Sequence, residues 1–204
     1  MRKHLLVALI ALYTQTAMAG DWWNDVKNDR VDSVAQDIAE GQDPNEIGSQ
    51  GHPAIIYAIR QNSPRVYMAL AQNPQVDVNL ANRYDETPLM YAAIIGNVDL
   101  AKALIARGAK VNRLGWSPLH YAASKGQTQM VEYLLSQGAS PNAPSDDGNS
   151  SLIVAVTSGN LDTVKTLLAA GADPKAINQK NKNAIDVARE MKRDDMLEVL
   201  EKKN

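Results

Sequence analysis

The chain has 204 residues, a formal net charge of −2 at neutral pH and no cysteine. Without thiols it has no disulfides, thiolate nucleophile, Cys-ligated metal or lipidated N-terminal Cys. With 21 basic against 23 acidic side chains it has no surplus of positive charge for displacing counterions from nucleic acid or an anionic membrane.

One domain is the simplest expectation at this length. There is no Phe, and the apolar content is mostly Ala, Leu, Ile and Val, which suits helices packed closely on one another. Arg2, Lys3 and His4 open the chain, Leu5 to Leu12 follow as an unbroken apolar run, and Ala17-Met18-Ala19 closes the segment. A basic start, a short apolar core and a small-x-small site predict an export signal over residues 1–19, cut between Ala19 and Gly20 with Ala17 as the other small residue. The apolar run is under half of the about 20 residues a spanning helix needs, so no membrane insertion is expected once the signal is removed. Removal takes two basic residues and no acid, which leaves 19 basic and 23 acidic groups. A soluble periplasmic protein is the expected product, with a secreted one as the alternative.

Residues 20–204 read as one domain of about six similar units. The first, 20–47, carries Trp22, Trp23, Val26, Val31, Val34 and Ile38 at three- and four-residue spacing, as in a helix pair. Asn28, Asp29, Asp32, Gln36 and Asp37 are expected on its polar outer face, with the two tryptophans closing the core end. The second, 48–79, holds Pro53-Ala54-Ile55-Ile56-Tyr57-Ala58, with Pro64 starting its second helix, where a missing N–H costs nothing.

The third unit, 82–112, carries Thr87-Pro88-Leu89-Met90-Tyr91-Ala92-Ala93 and Gly96. The fourth, 113–142, carries Ser117-Pro118-Leu119-His120-Tyr121-Ala122-Ala123 and Gly126, thirty residues on, and is short by three residues before its Pro. The fifth, 146–175, repeats the pattern as Ser150-Ser151-Leu152 with Gly159, thirty-three residues further. The last, 179–204, carries Asn183-Ala184-Ile185-Asp186-Val187-Ala188 and a charged outer helix that caps the array. Each Pro presets the first helical turn, the preceding Thr or Ser supplies a cap, paired Ala residues permit close helix approach, and each Gly ends the first helix at positive φ. No unit can bury its apolar face alone; stacking does it.

This pattern resembles the ankyrin repeat, whose Thr-Pro-Leu-His-x-Ala-Ala is matched at six of seven positions by Ser117 to Ala123, with Gly138-Ala139-Ser140-Pro141-Asn142 completing the copy. The resemblance implies an all-α solenoid of helix-turn-helix units joined by short β-hairpin or loop fingers, with degenerate terminal caps. It also implies a structural role for Thr87, Pro88, Ser117, Pro118, His120, Gly96, Gly126 and Gly159, with His120 bonding between neighbouring loops.

No catalytic set emerges. His52 is expected to be exposed, and a lone imidazole is a poor metal site. Ser145 to Asn149 lacks the alternating ligands of a calcium loop. No cofactor, metal or catalytic residue is expected. Ankyrin arrays generally bind proteins through finger tips and the exposed side of the first helices. That implies Arg83, Tyr84 and Glu86 on one finger, Arg113, Leu114 and Trp116 on the next, and Asp146, Asp147 and Asn149 on the third. On the helices it implies Arg60, Gln61, Ile94, Ile95, Ser124, Lys125, Thr157 and Ser158. Tyr84, Ile94, Ile95 and Trp116 are expected to form a sticky patch.

The chain is similar to small exported bacterial ankyrin proteins. A non-enzymatic partner-binder, monomeric alone, is the expectation. Its client would be a periplasmic stress enzyme that it protects or a secreted toxin that it neutralises. A groove-based enzyme or small-ligand binder and an envelope-associated structural protein are the alternatives.

Overall fold

The computed structural model describes residues 21–202. The expected export signal, residues 1–19, and its cleavage residues Ala17, Ala19 and Gly20 lie outside the described residues. The described residues form an all-α ankyrin solenoid fold of twelve helices in six pairs: α1 (Asp21–Lys27) with α2 (Val31–Ala39), α3 (Ala54–Arg60) with α4 (Pro64–Gln72), α5 (Pro88–Ile95) with α6 (Val98–Ala106), α7 (Pro118–Ser124) with α8 (Thr128–Ser136), α9 (Ser151–Ser158) with α10 (Leu161–Ala169), and α11 (Ala184–Glu190) with α12 (Asp194–Glu201). The chain divides into two compact units, with the boundary in sequence between Pro88 and Leu89.

In the first unit α3 packs on α1 and α4 on α2. Trp22, Val26, Ile56, Ala58, Val66 and Ala71 are fully buried there. Trp23 is half-buried and meets Tyr57 edge-to-face at 5.4 Å. The polar outer face expected of the first pair needs correcting at Asp37, which is buried. Asp29 is turned inward to the chain itself, its Oδ1 accepting the Val66 N–H at 2.9 Å across the joint between pairs. In the second unit α7, α9 and α11 pack in succession, as do α6, α8, α10 and α12. Leu89, Ala92, Ala93, Leu104, Leu119, Ala122, Leu134, Leu152, Ala155, Leu167 and Ala188 are buried almost completely. Each buried Leu contributes roughly 1.5–3 kcal/mol of apolar transfer, and the alanines let the helix axes close up.

One backbone device recurs between the helices of every pair. Asp29, Asn62, Gly96, Gly126, Gly159 and Lys192 all have positive φ, between 56° and 81°. The turn needs the left-handed region, which glycine enters freely and other residues enter at a cost. Asn97 and Asn160 follow two of these positions, and their side chains cap α6 and α10 by accepting the Leu100 and Thr163 N–H groups, each at 2.9 Å.

The joints between pairs are made by asparagine. In the first unit Asn45 donates to the Gln75 carbonyl at 2.8 Å and accepts the Asp77 N–H at 2.7 Å. In the second, Asn112 does the same with Gly138 and Ser140 at 2.8 and 2.9 Å, and Asn142 with Gly171 and Asp173 at 3.0 and 2.8 Å. One amide thereby satisfies an acceptor and a donor of the next pair at once.

Of the expected hairpin or loop fingers, the described residues take the loop form. Among the described residues the only β pairing is the isolated bridge between Ile47 and Pro53. Three further fingers are closed by a backbone bond, Asn82 N–H to Glu86 O, Ser145 N–H to Asn149 O and Asn178 N–H to Lys182 O, and each holds an inner turn bond, Asp85 N–H to Asn82 O, Gly148 N–H to Ser145 O and Asn181 N–H to Asn178 O, all at 2.9 Å. No ladder extends outward from these turns among the described residues.

Candidate functional site

The finger that carries Trp116 with α7, and the finger that carries Asn149 with α9, line an open-sided cleft of about 370 Å³ in the second unit, through Trp116, Ser124, Asn149, Val154, Thr157 and Ser158. Trp116 is half-buried, with its ring tilted against His120 at 5.7 Å and Tyr121 at 5.2 Å. The shortened finger brings the indole back over its own helix and leaves it as one wall of the cleft.

His120 holds that wall to the next finger. Its Nε2 lies 3.1 Å from the Asn149 carbonyl oxygen, so Nε2 carries the hydrogen and donates. Nδ1 therefore accepts the Ser117 N–H at 3.2 Å and lies 2.8 Å from the Ser117 hydroxyl. The residue is fully buried, and burial pulls its pKa below the ordinary 6.5, against the opposing pull of the Asn149 and Ala143 carbonyls, Asp147 and Asp146. Ser117 spends its side chain on His120, and Ser150 caps α9 by accepting the Ile153 N–H at 3.3 Å.

Asp147 and Asn149 belong to the finger's own frame. Asp147 accepts from the Ser145 hydroxyl at 2.6 Å and from the Asn149 amide, while Asn149 Oδ1 accepts from Asn178 at 2.7 Å. The Ser145 hydrogen bond is the main reason the Asp147 carboxyl sits below its usual range. Asp146 is exposed and its carboxylate lies against Gly115, whose φ is +71°. Ile95, Leu114 and Lys125 are exposed, Leu114 almost entirely, and Ile94 and Arg113 are half-buried.

In the first unit Tyr84 is exposed, with the Arg83 guanidinium 4.8 Å over its ring. Glu86 accepts from the Asn82 amide at 2.8 Å, and its backbone closes the finger. His52 corrects the sequence reading: it is buried, with Nδ1 3.2 Å from Asn82 Nδ2. Its periodicity gave no sign of this because the partner stands thirty residues on, in the next finger. Burial lowers its pKa, aided by Arg60 and Arg83 and opposed by Glu86. A cavity of about 70 Å³ beside it is lined by Trp23, Gly48, Ser49, Gln50, His52 and Tyr57. Among the described residues no group of three or more His, Asp or Glu side chains could hold a metal ion, and no helix is long and apolar enough to cross a membrane.

These pairs, turns and fingers are those of a repeat family. The family model described as "Ankyrin repeats (3 copies)" matches residues 25–114 and again 111–181. The chain belongs to the ankyrin-repeat family, whose members serve generally as protein–protein interaction modules and are typically non-catalytic. It is also similar to alpha-latrocrustotoxin-Lt1a of Latrodectus tredecimguttatus, at 35% identity over 78 residues. That stretch is 38% of this chain and 5% of the toxin, so the chain spans a small part of that relative's length.

Proposed function

We propose that this chain is a non-catalytic interaction protein of the periplasm that captures a protein client, with the Trp116 cleft as its anchor point. The observation that carries this reading is a large aromatic side chain, held by His120 and Tyr121, forming one wall of an open cleft beside α9. Aromatic anchors of this kind dominate binding energy when a partner covers them. Tyr84 on the first unit is an exposed aromatic, already stacked by Arg83. A stress enzyme protected by the complex or a toxin neutralised by it are the clients we favour, and the chain alone is proposed to be monomeric.

The groove-enzyme alternative draws less support. His52 is buried beside a cavity of about 70 Å³, room for a few waters and little else. Export rests on the basic start, apolar run and Ala17-Met18-Ala19 of the sequence.

The test is a crosslinking capture from the native envelope with the processed chain as bait. One dominant client, with recovery reduced at least about tenfold by Trp116→Ala, is expected. Recovery unchanged by Trp116→Ala would remove the cleft from the binding surface. N-terminal sequencing of the exported product is expected to begin at Gly20; an uncut product retained with the cells would refute the export assignment.

A further inference from the structure

The cleft beside Trp116 has a chemical polarity that restricts what it can hold. Three hydroxyls line it, and each has its hydrogen committed to its own helix. Ser124 donates to the Tyr121 carbonyl at 2.8 Å, Thr157 to Ile153 at 2.9 Å and Ser158 to Ala155 at 2.9 Å. A committed hydroxyl presents lone pairs outward, so these groups accept and do not donate. The Trp116 ring adds an aromatic face, which attracts a cation through its quadrupole. Asn149, the remaining polar wall, is held by Asp147 and Asn178.

Two carboxylates stand near the cleft. The Asp147 carboxylate is one hydrogen bond behind Asn149, and the Asp146 carboxylate lies against Gly115, the residue before Trp116. Both carboxylates act electrostatically on His120, whose ring touches Trp116. Lys125 is an exposed cation next to Ser124, and the charge of Lys180 acts on Asp147. With Lys180 set against Asp147, Asp146 beside Gly115 is the carboxylate that biases the Trp116 wall towards a cation.

Building on the client-binding reading above, we infer that the cleft takes a basic side chain, arginine or lysine, from the protein partner, with the cation over Trp116 and its hydrogens on the Ser124, Thr157 and Ser158 oxygens. An acidic side chain would meet lone pairs and carboxylates, and a purely apolar one would leave the hydroxyl oxygens unpaired.

The test uses the ¹⁵N-labelled full-length chain and three capped tripeptides: Gly-Arg-Gly, the same peptide with citrulline, a neutral isostere, and Gly-Leu-Gly. The reporter is the Trp116 indole N–H resonance, assigned with Trp116→Phe. The arginine peptide is expected to shift it saturably, and the citrulline and leucine peptides to bind at least about tenfold more weakly. Asp146→Asn is expected to weaken the arginine peptide about three- to tenfold, and Lys125→Gln to strengthen it, with the other indole resonances unmoved. Equal binding by the citrulline or leucine peptide, or no shift from the arginine peptide, would overturn the inference.

Client capture separates the two readings. Capture lost with Trp116→Ala but indifferent to Asp146→Asn would keep the client anchor and overturn the basic occupant. An arginine peptide bound at Trp116 with capture indifferent to Trp116→Ala would overturn the client anchor and leave the cation cleft standing.

Discussion

His120 shows how one side chain serves both frame and site. It is buried, neutral and tied to Ser117 and Asn149, and it backs the indole that walls the cleft. Its pKa is lowered in the fold, so between that value and the unfolded 6.5 the unfolded chain binds more protons. Stability therefore rises with pH through this window and falls as pH drops below about 6.5, and His52, also lowered, acts in the same sense. Thermal melts between pH 7.5 and 5 should show a Tm decline that is smaller in a His120→Asn variant, even though that variant starts from a lower Tm. An identical decline in both proteins would deny His120 this role. The place of His120 was legible because it sits inside a repeated motif. The burial of His52 was not, because its environment is made by Asn82 in the following finger, and no local pattern encodes a contact thirty residues away. The polarity of the cleft was equally hidden: Ser124, Thr157 and Ser158 read as generic exposed residues until the direction of each hydroxyl hydrogen was known.

At the level of the helix pair, the left-handed turn is the controlling element. A Cβ on Gly126 would stand 2.7 Å from Asn160 Nδ2 and 3.0 Å from Asn160 Cβ, in addition to the cost of φ +63°. Gly126→Ala should therefore cost about 1–2 kcal/mol, read by denaturant melts at unchanged helicity. Lys192 occupies the same turn in the last pair at φ +56°, so Lys192→Gly should stabilise by up to about 1 kcal/mol. A loss of stability in Lys192→Gly would show that its side chain contributes more than its backbone costs. Gly96, Gly126 and Gly159 announced the turn in the sequence. Asp29 and Lys192 concealed it, because charged residues at a chain surface look like solvated face whatever their φ. The fold as helix pairs was thus readable from spacing, whereas the choice between hairpin and loop in the fingers was left open by it.

Across the molecule the two compact units differ in charge. Residues 21–88 hold five basic side chains, Lys27, Arg30, Arg60, Arg65 and Arg83, against eleven acidic ones, while residues 89–204 hold fourteen basic against twelve acidic. Each unit also carries its own tryptophan reporter, Trp22 and Trp23 in one and Trp116 in the other. Because repeat stability sums local terms, Gly126→Ala should lower the transition seen in a Trp22→Phe/Trp23→Phe background more than that seen in a Trp116→Phe background. Equal shifts in the two would mean that the array melts as one cooperative block. The asparagine joints carry a further consequence for how such an array can change. Asn45, Asn112 and Asn142 reach partners 30 and 32, 26 and 28, and 29 and 31 residues ahead, yet the bonds stay between 2.7 and 3.0 Å. The joint behaves as a standard coupling that is indifferent to the length of chain looped between its ends. Fingers can then gain or lose residues without resetting the spacing of the helices, which leaves the recognition loops free to diverge while the scaffold keeps its gauge.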